Sequence, residues 1–130
     1  MFALDTNTLI YFFKGQGNVK NRLMDTSPNE INIPAIVIYE LTYGILKTSA
    51  ASKRSKQLES FLECCKLLEF GSKEARAAAK IRAHLESRGE PIGPLDTLIA
   101  GTALANGLVL VTHNTREFKK VSGLEIVDWY

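Results

Sequence analysis

Four acidic residues sit where short apolar runs give way to helical patterns: Asp5 in FALDTN, Glu40 in IYEL, Asp96 in GPLD and Glu117 in THNTREF. They are far apart along the chain, so only a tertiary fold can bring them together. Four carboxylates gathered at one point would repel strongly, and a divalent cation is the usual compensation. Such a centre neutralises phosphate charge, activates water and stabilises a leaving oxygen. These residues make the chain a candidate metal-dependent phosphoryl-transfer enzyme.

Each acid also has a local reading. Asp5 directly follows the apolar run Phe2–Leu4 and suits the turn into a helix. Glu40 interrupts a segment that is apolar almost all round, and glutamate is rarely buried without a partner. Asp96 follows a proline at a helix start, as an N-cap does. Asn114-Thr115-Arg116-Glu117 fits a capping box, with Asn114 as the cap. A capping carboxylate can still present an oxygen to a metal, so these readings do not exclude a site.

The elements that must position these residues alternate. Strands are expected at Phe2–Leu4, Glu30–Ile33, Lys66–Phe70, Leu108–Val111 and Leu124–Val127. Helices are expected at Thr8–Lys14, Asn18–Asp25, Ala35–Leu46, Ser52–Cys64 and Asp96–Ala105. Another runs from a Ser72 cap to Gly89, with Ala75, Ala78, Ile81 and Leu85 inward. Val19, Leu23 and Met24 face inward on the second helix. This alternation predicts an α/β domain, a parallel sheet flanked by helices. Sites in such sheets lie beyond the carboxyl ends of the strands, where strand order switches. If Phe2–Leu4 and Leu108–Val111 are neighbours, Asp5 and Asn114 face one crevice.

Composition sets the outer limits. A chain of 130 residues suits one domain over 1–130, burying roughly two thirds of its unfolded surface. The net charge of +2 gives no strong overall field, so nucleic-acid affinity must come from local patches. No apolar run approaches a membrane span and no secretory pattern opens the chain, so a cytoplasmic protein is expected. The adjacent Cys64 and Cys65 read as reduced thiols, because neighbouring cysteines pair only with strain.

LDTNTLIYFFKG, IPAIVIYELTYGI and PLDTLIAGTALANGLVLVTHNTREFKKVSGLEIVDW closely resemble the PIN-domain toxins of the VapC type. The resemblance runs from Leu4 to Trp129, with motifs in family order and at family spacing. It implies a parallel sheet of four or five strands, order 3-2-1-4-5, between helices. It implies a ribonuclease toxin using Mg²⁺ or Mn²⁺, cutting a transfer or ribosomal RNA loop and inhibiting translation. It also implies a cognate VapB-type antitoxin, a homodimer and a larger toxin–antitoxin complex. By motif, Asp5, Glu40 and Asp96 match the three central acidic positions. The fourth lies within THNTREF: many relatives place aspartate where Asn114 stands, whereas Glu117 fits relatives with a TREF pattern. Thr6 and Thr112 match small polar positions that support the site.

The resemblance and the chemistry together set the expected roles. Asp5 and Asp96 hold the principal ion directly, Glu40 binds it through water or orients the attacking water, and Glu117 helps hold a second, weaker ion. Hydrolysis by water leaves 5′-phosphate and 3′-hydroxyl ends. A metal-free route needs histidine pairs, and the chain has only His84 and His113, the latter read as a surface neighbour of the site.

Arg116, Lys119 and Lys120 are the best RNA-contact candidates, being closest in sequence to the site. Lys53, Arg54 and Lys56, and Arg76, Lys80, Arg82 and Arg88, read mostly as solvated surface. Tyr11, Phe12 and Phe13 suit packing or an interface, and Trp129 a packing anchor. The helix carrying Tyr39, Tyr43, Ile45 and Leu46 has more apolar surface than one core contact needs, and is expected to help bind the antitoxin. Two other classes stand beside the nuclease. One is a phosphatase of the haloacid dehalogenase type with Asp5 as nucleophile, although Asn7 stands where a second aspartate belongs. The other is a binding module with an idle metal site.

Overall fold

β1 (Phe2–Leu4) occupies the middle of the sheet because its side chains are covered on both faces, Ala3 and Leu4 completely. The computed structural model describes residues 1–130 and holds five parallel strands in the order β3-β2-β1-β4-β5. The others are β2 (Ile31–Pro34), β3 (Lys66–Leu68), β4 (Val109–Val111) and β5 (Ile126–Val127). Leu4 is in register with Val111, and Val111 with Val127. The chain leaves β1 toward β2 and β3 on one side and returns to β4 and β5 on the other. The switch point is therefore between β1 and β4, above Asp5.

Seven helices complete the fold: α1 (Thr6–Lys14), α2 (Val19–Met24), α3 (Ala35–Leu46), α4 (Ala51–Leu62), α5 (Ser72–Ser87), α6 (Pro94–Ala105) and α7 (Thr115–Phe118). α1 packs on α2 and α3, and α3 also meets α4 and α6. α5 and α6 form an antiparallel pair. At one end the Asn106 amide beyond α6 donates to Glu74 at the start of α5, at 3.0 Å. The pair approaches closely at Gly101, where a Cβ would stand 2.7 Å from Ala78. Buried Leu9, Ile33, Val37, Leu85, Ile99, Leu110 and Phe118 fill the core around the sheet. Trp129 is buried edge-on against Phe2, as a packing anchor should be.

Several boundaries differ from the sequence expectation for identifiable reasons. α1 starts at Thr6 rather than Thr8, because the Asp5 side chain caps it through the Thr8 N–H. α6 starts at Pro94, whose fixed φ suits the first helical position. Asp96 is thus in the first turn and is not the N-cap, which is Gly93. On α5, Gly71 is the cap and Ser72 the first helical residue. Glu74 turns inward to accept the Gly71 N–H at 3.0 Å, and Ala75 is exposed rather than inward. Met24 also points outward, at 69% exposure. β3 and β5 are shorter than expected, and β2 extends through Pro34. Both cysteines are free thiols. No helix is long and apolar enough to cross a membrane.

Candidate active site at the carboxyl edge of the sheet

Because Leu4, Val111 and Val127 are in register, the residues that follow them form the next row: Asp5, Thr112 and Asp128. Two ladder bonds extend into that row. The Asp5 N–H donates to the Val111 carbonyl at 3.1 Å, and the Thr112 N–H to Val127 at 2.9 Å.

Asp5 is held in one orientation. Its Oδ1 accepts the Thr8 N–H at 2.9 Å and its Oδ2 accepts the Thr112 hydroxyl at 2.6 Å. Thr112 Oγ1 in turn accepts the Asn114 N–H at 3.0 Å. Burial pushes the Asp5 carboxyl above its ordinary value. The Thr112 and Thr8 hydrogen bonds oppose that shift, and the charge of Asp128 adds to it.

Asp96 is half-buried in the first turn of α6. Its carboxyl is pushed up to about 6, first by burial and then by the charges of Asp5, Glu40 and Glu117. The four acids singled out from the sequence therefore share one electrostatic field. Glu40 sits midway along α3, its Oε1 accepting the Thr6 hydroxyl at 2.7 Å. Glu117 on α7 pairs with Lys120 at 3.2 Å. No cationic side chain forms an ion pair with Asp5, Glu40 or Asp96.

The four share a field without sharing a point. No three acidic, histidine or cysteine side chains are arranged to grip one ion by themselves. The reason is visible: Asp5 is tied to Thr8 and Thr112, Glu40 to Thr6 and Glu117 to Lys120. Magnesium is commonly held by one or two carboxylates and keeps several waters. A donor set of hard oxygens with two unpaired aspartates, Asp5 and Asp96, and two glutamates behind them fits such an ion.

Other expected residues take clear places. Asn114 caps α7 by position but makes no side-chain capping bond. The capping box is absent, because Glu117 is drawn to Lys120. Arg116 and Lys119 are exposed beside the site, whereas Lys120 is partly buried on Glu117 and is not a free cation. His113 is exposed, hydrogen-bonds Asp128 at 2.9 Å and stacks on Tyr130 at 4.2 Å. Tyr39, Tyr43 and Leu46 project from α3 at 59%, 57% and 67% exposure. Glu40 also borders a cavity of about 380 Å³ between α1, α3 and α4.

Asp128 is the acid that sequence reasoning missed. Its signal was present: it follows a short apolar strand directly, as Asp5 does. Only the register shows that it stands two strands away in the same row.

A five-stranded parallel sheet with an acidic switch point defines a small family of folds, and the comparisons agree on which. The PIN domain family matches residues 2–124. The tRNA(fMet)-specific endonuclease VapC of Salmonella typhimurium is 36% identical over 128 residues, covering 98% of this chain and 97% of that protein. Ribonuclease VapC2 of Rickettsia felis is 34% identical, covering 99% and 98%. Among solved structures, DNA-bound VapBC from Salmonella typhimurium superposes with a TM-score of 0.93 at 36% identity, covering 99% of this chain and 98% of that one. VapBC2 from Rickettsia felis bound to a promoter DNA fragment gives 0.92 at 33% identity, with the same coverage. The chain belongs to the PIN-domain family and, within it, to the VapC group of ribonucleases.

Proposed function

We propose that this chain is a Mg²⁺- or Mn²⁺-dependent endoribonuclease, the toxin of a toxin–antitoxin pair, which cuts a structured RNA and so inhibits translation. The observation that carries the metal requirement is the acidic field around Asp96 at the switch point, in which Asp5, Glu40 and Asp96 have no ion-pair partner. When bound, the ion supplies Lewis acidity toward the phosphate and a more acidic water.

The protein's own residues have separable tasks. Asp5 and Asp96 hold the ion. Thr112 and the Thr8 N–H keep Asp5 from rotating away. Thr6 fixes one Glu40 oxygen, which leaves the other to accept a proton from the attacking water or to hold the ion through water. Glu117, balanced by Lys120, would help hold a second ion. Arg116 and Lys119 contact phosphates flanking the cut. Attack by water leaves a 5′-phosphate and a 3′-hydroxyl. The tRNA(fMet) specificity named for the Salmonella relative makes a transfer RNA loop the first substrate to test.

Solved VapBC structures that resemble this chain are toxin–antitoxin complexes. A VapB-type antitoxin is therefore the expected partner, with homodimerisation in the assembly. The exposed Tyr39, Tyr43 and Leu46 on α3 provide a surface for it. A phosphatase with Asp5 as nucleophile is poorly supported, since Asn7 stands where that chemistry needs a second aspartate.

The test uses antitoxin-free protein and total RNA, with and without Mg²⁺ or Mn²⁺, beside Asp5→Ala and Asp96→Asn. Discrete cleavage that needs metal and is lost in both variants supports the proposal. Metal binding without turnover would replace it with an idle binding module.

A further inference from the structure

A concavity of about 540 Å³ lies between α5, the end of α6 and the segment after α7. Lys73, Arg76, Lys80 and His84 line one side, and no carboxylate lines it anywhere. Spacings of three and four residues place these side chains in one stripe along α5. The stripe extends about 16 Å at helical rise. Apolar Ile81, Leu85 and Leu104 also line it.

The charges of α5 are sorted by face. Arg82 pairs with Glu86, and Arg88 with Glu90, away from the groove. Arg76 and Lys80 take part in none of the chain's salt bridges. Lys73 reaches Glu74 at 3.8 Å, but that carboxylate is already engaged by Gly71 and Asn106. Cations left unpaired in a concave surface are a docking feature for a polyanion. The opposite wall, Val121 and Ser122, directly follows Lys119 and Lys120. The basic groove is thus continuous in sequence with the cations beside Glu117.

We propose that this groove binds the sugar-phosphate backbone of the RNA away from the bond that is cut, and so selects structured RNA over short fragments. The proposal rests on the ribonuclease reading for the identity of the polyanion. A row of cations one helical turn apart suits the regular charges of a nucleic-acid strand.

The test measures binding of fluorescently labelled total transfer RNA to Asp96→Asn protein across about 0.05–0.3 M salt. Arg76→Gln with Lys80→Gln is compared with Arg82→Gln and Arg88→Gln. Each pair removes two positive charges, the first from the groove and the second from ion-paired positions on and just beyond α5 outside it. The groove pair is expected to weaken binding roughly tenfold and to flatten the log–log salt slope by about 1.4, as for two lost phosphate contacts. The control pair should change affinity less than about twofold. Equal losses from both pairs, or no loss from the groove pair, would overturn the proposal. So would a larger groove-pair effect on a polyglutamate peptide than on RNA, which would assign the groove to an acidic protein. Cleavage of the same RNA by the otherwise native chain with Mg²⁺ is read in parallel. Cleavage without a groove effect removes the groove and leaves the nuclease. Groove-dependent binding without cleavage supports the groove and removes the nuclease.

Discussion

The hydroxyl of Thr112 donates to the carboxylate of Asp5 at 2.6 Å, joining residues 107 positions apart. The bond crosses from β4 to β1 at the switch point, and Thr112 is fully buried. Thr112→Val keeps the shape and removes the donor. The variant is expected to lose about 1–3 kcal/mol of stability through the unsatisfied carboxylate, and to bind Mn²⁺ about 10- to 100-fold more weakly. Thr112→Ser should restore most of both. Calorimetric titration with Mn²⁺ and urea unfolding check the two effects. Unchanged metal affinity in Thr112→Val would show that Asp5 needs no such support.

Asp96 makes stability depend on pH in a definite direction. Its folded value, about 6, lies above its ordinary value of 3.8, so the folded state holds the proton more tightly. The resulting penalty is absent below the ordinary value and fully present above about pH 6. Metal-free Asp96→Asn should therefore match wild type near pH 4 and exceed it near pH 7.5. The gain is about 1 kcal/mol after allowing for solvent screening of a half-exposed group. Thermal melts in chelator across this range test it. A gap that closes as pH rises would refute the assignment.

The same proton would compete with the proposed metal ion. Mn²⁺ affinity should fall as pH drops through about 6, with proton release on binding. Calorimetry in two buffers of different ionisation enthalpy measures that release directly. A pH-independent affinity would place the ion away from Asp96.

Gly101 is fixed by packing rather than by chemistry. Gly101→Ala drives a methyl to within 2.8 Å of the Ala78 backbone, which cannot yield as a flexible side chain would. A loss of about 1–3 kcal/mol is expected from the forced separation of α5 and α6. Urea denaturation measures it, and cleavage by the remaining folded fraction should be near normal.

Tyr43→Glu with Leu46→Glu places charge on the exposed apolar face of α3. Neither side chain is buried, so folding should be preserved within about 0.5 kcal/mol. Binding to the cognate antitoxin should weaken at least tenfold, read by co-purification and titration. Intact complex formation would move the antitoxin site elsewhere.

The alternation of elements was legible because apolar runs such as Leu108–Val111 stand apart from helical patterns such as Ser72–Ser87. Ala35–Leu46 was read with its observed bounds, since Pro34 marks its start. The start of α6 was misplaced because Asp96 was taken for a cap from residue type, and that of α1 because no cap was set before Thr8. Asp5 caps because its side chain finds Thr8, whereas Asp96 does not because Pro94 begins the helix earlier. That Asp5, Glu40 and Asp96 come close enough to share one field was legible from their motifs. Asp128 was not, because its place in the row depends on strand register, and two-residue β5 carries little pattern. The pairing of Lys120 with Glu117 was equally hidden: one helical turn separates them, but no sequence rule decides between the carboxylate and solvent.

Asp5 both closes the first turn of α1 and faces the acidic field, so its loss removes a helix cap, worth about 1 kcal/mol, along with the chemistry. The two aspartates therefore differ in what their inactivation leaves behind. A chain disabled at Asp5 is also a weaker fold and a better target for proteolysis. A chain altered at Asp96 keeps that cap while shedding the repulsion around the site. On the proposed function, such a chain would be an inert decoy in a cell that makes both partners, occupying antitoxin and lowering the dose available to restrain any active copy.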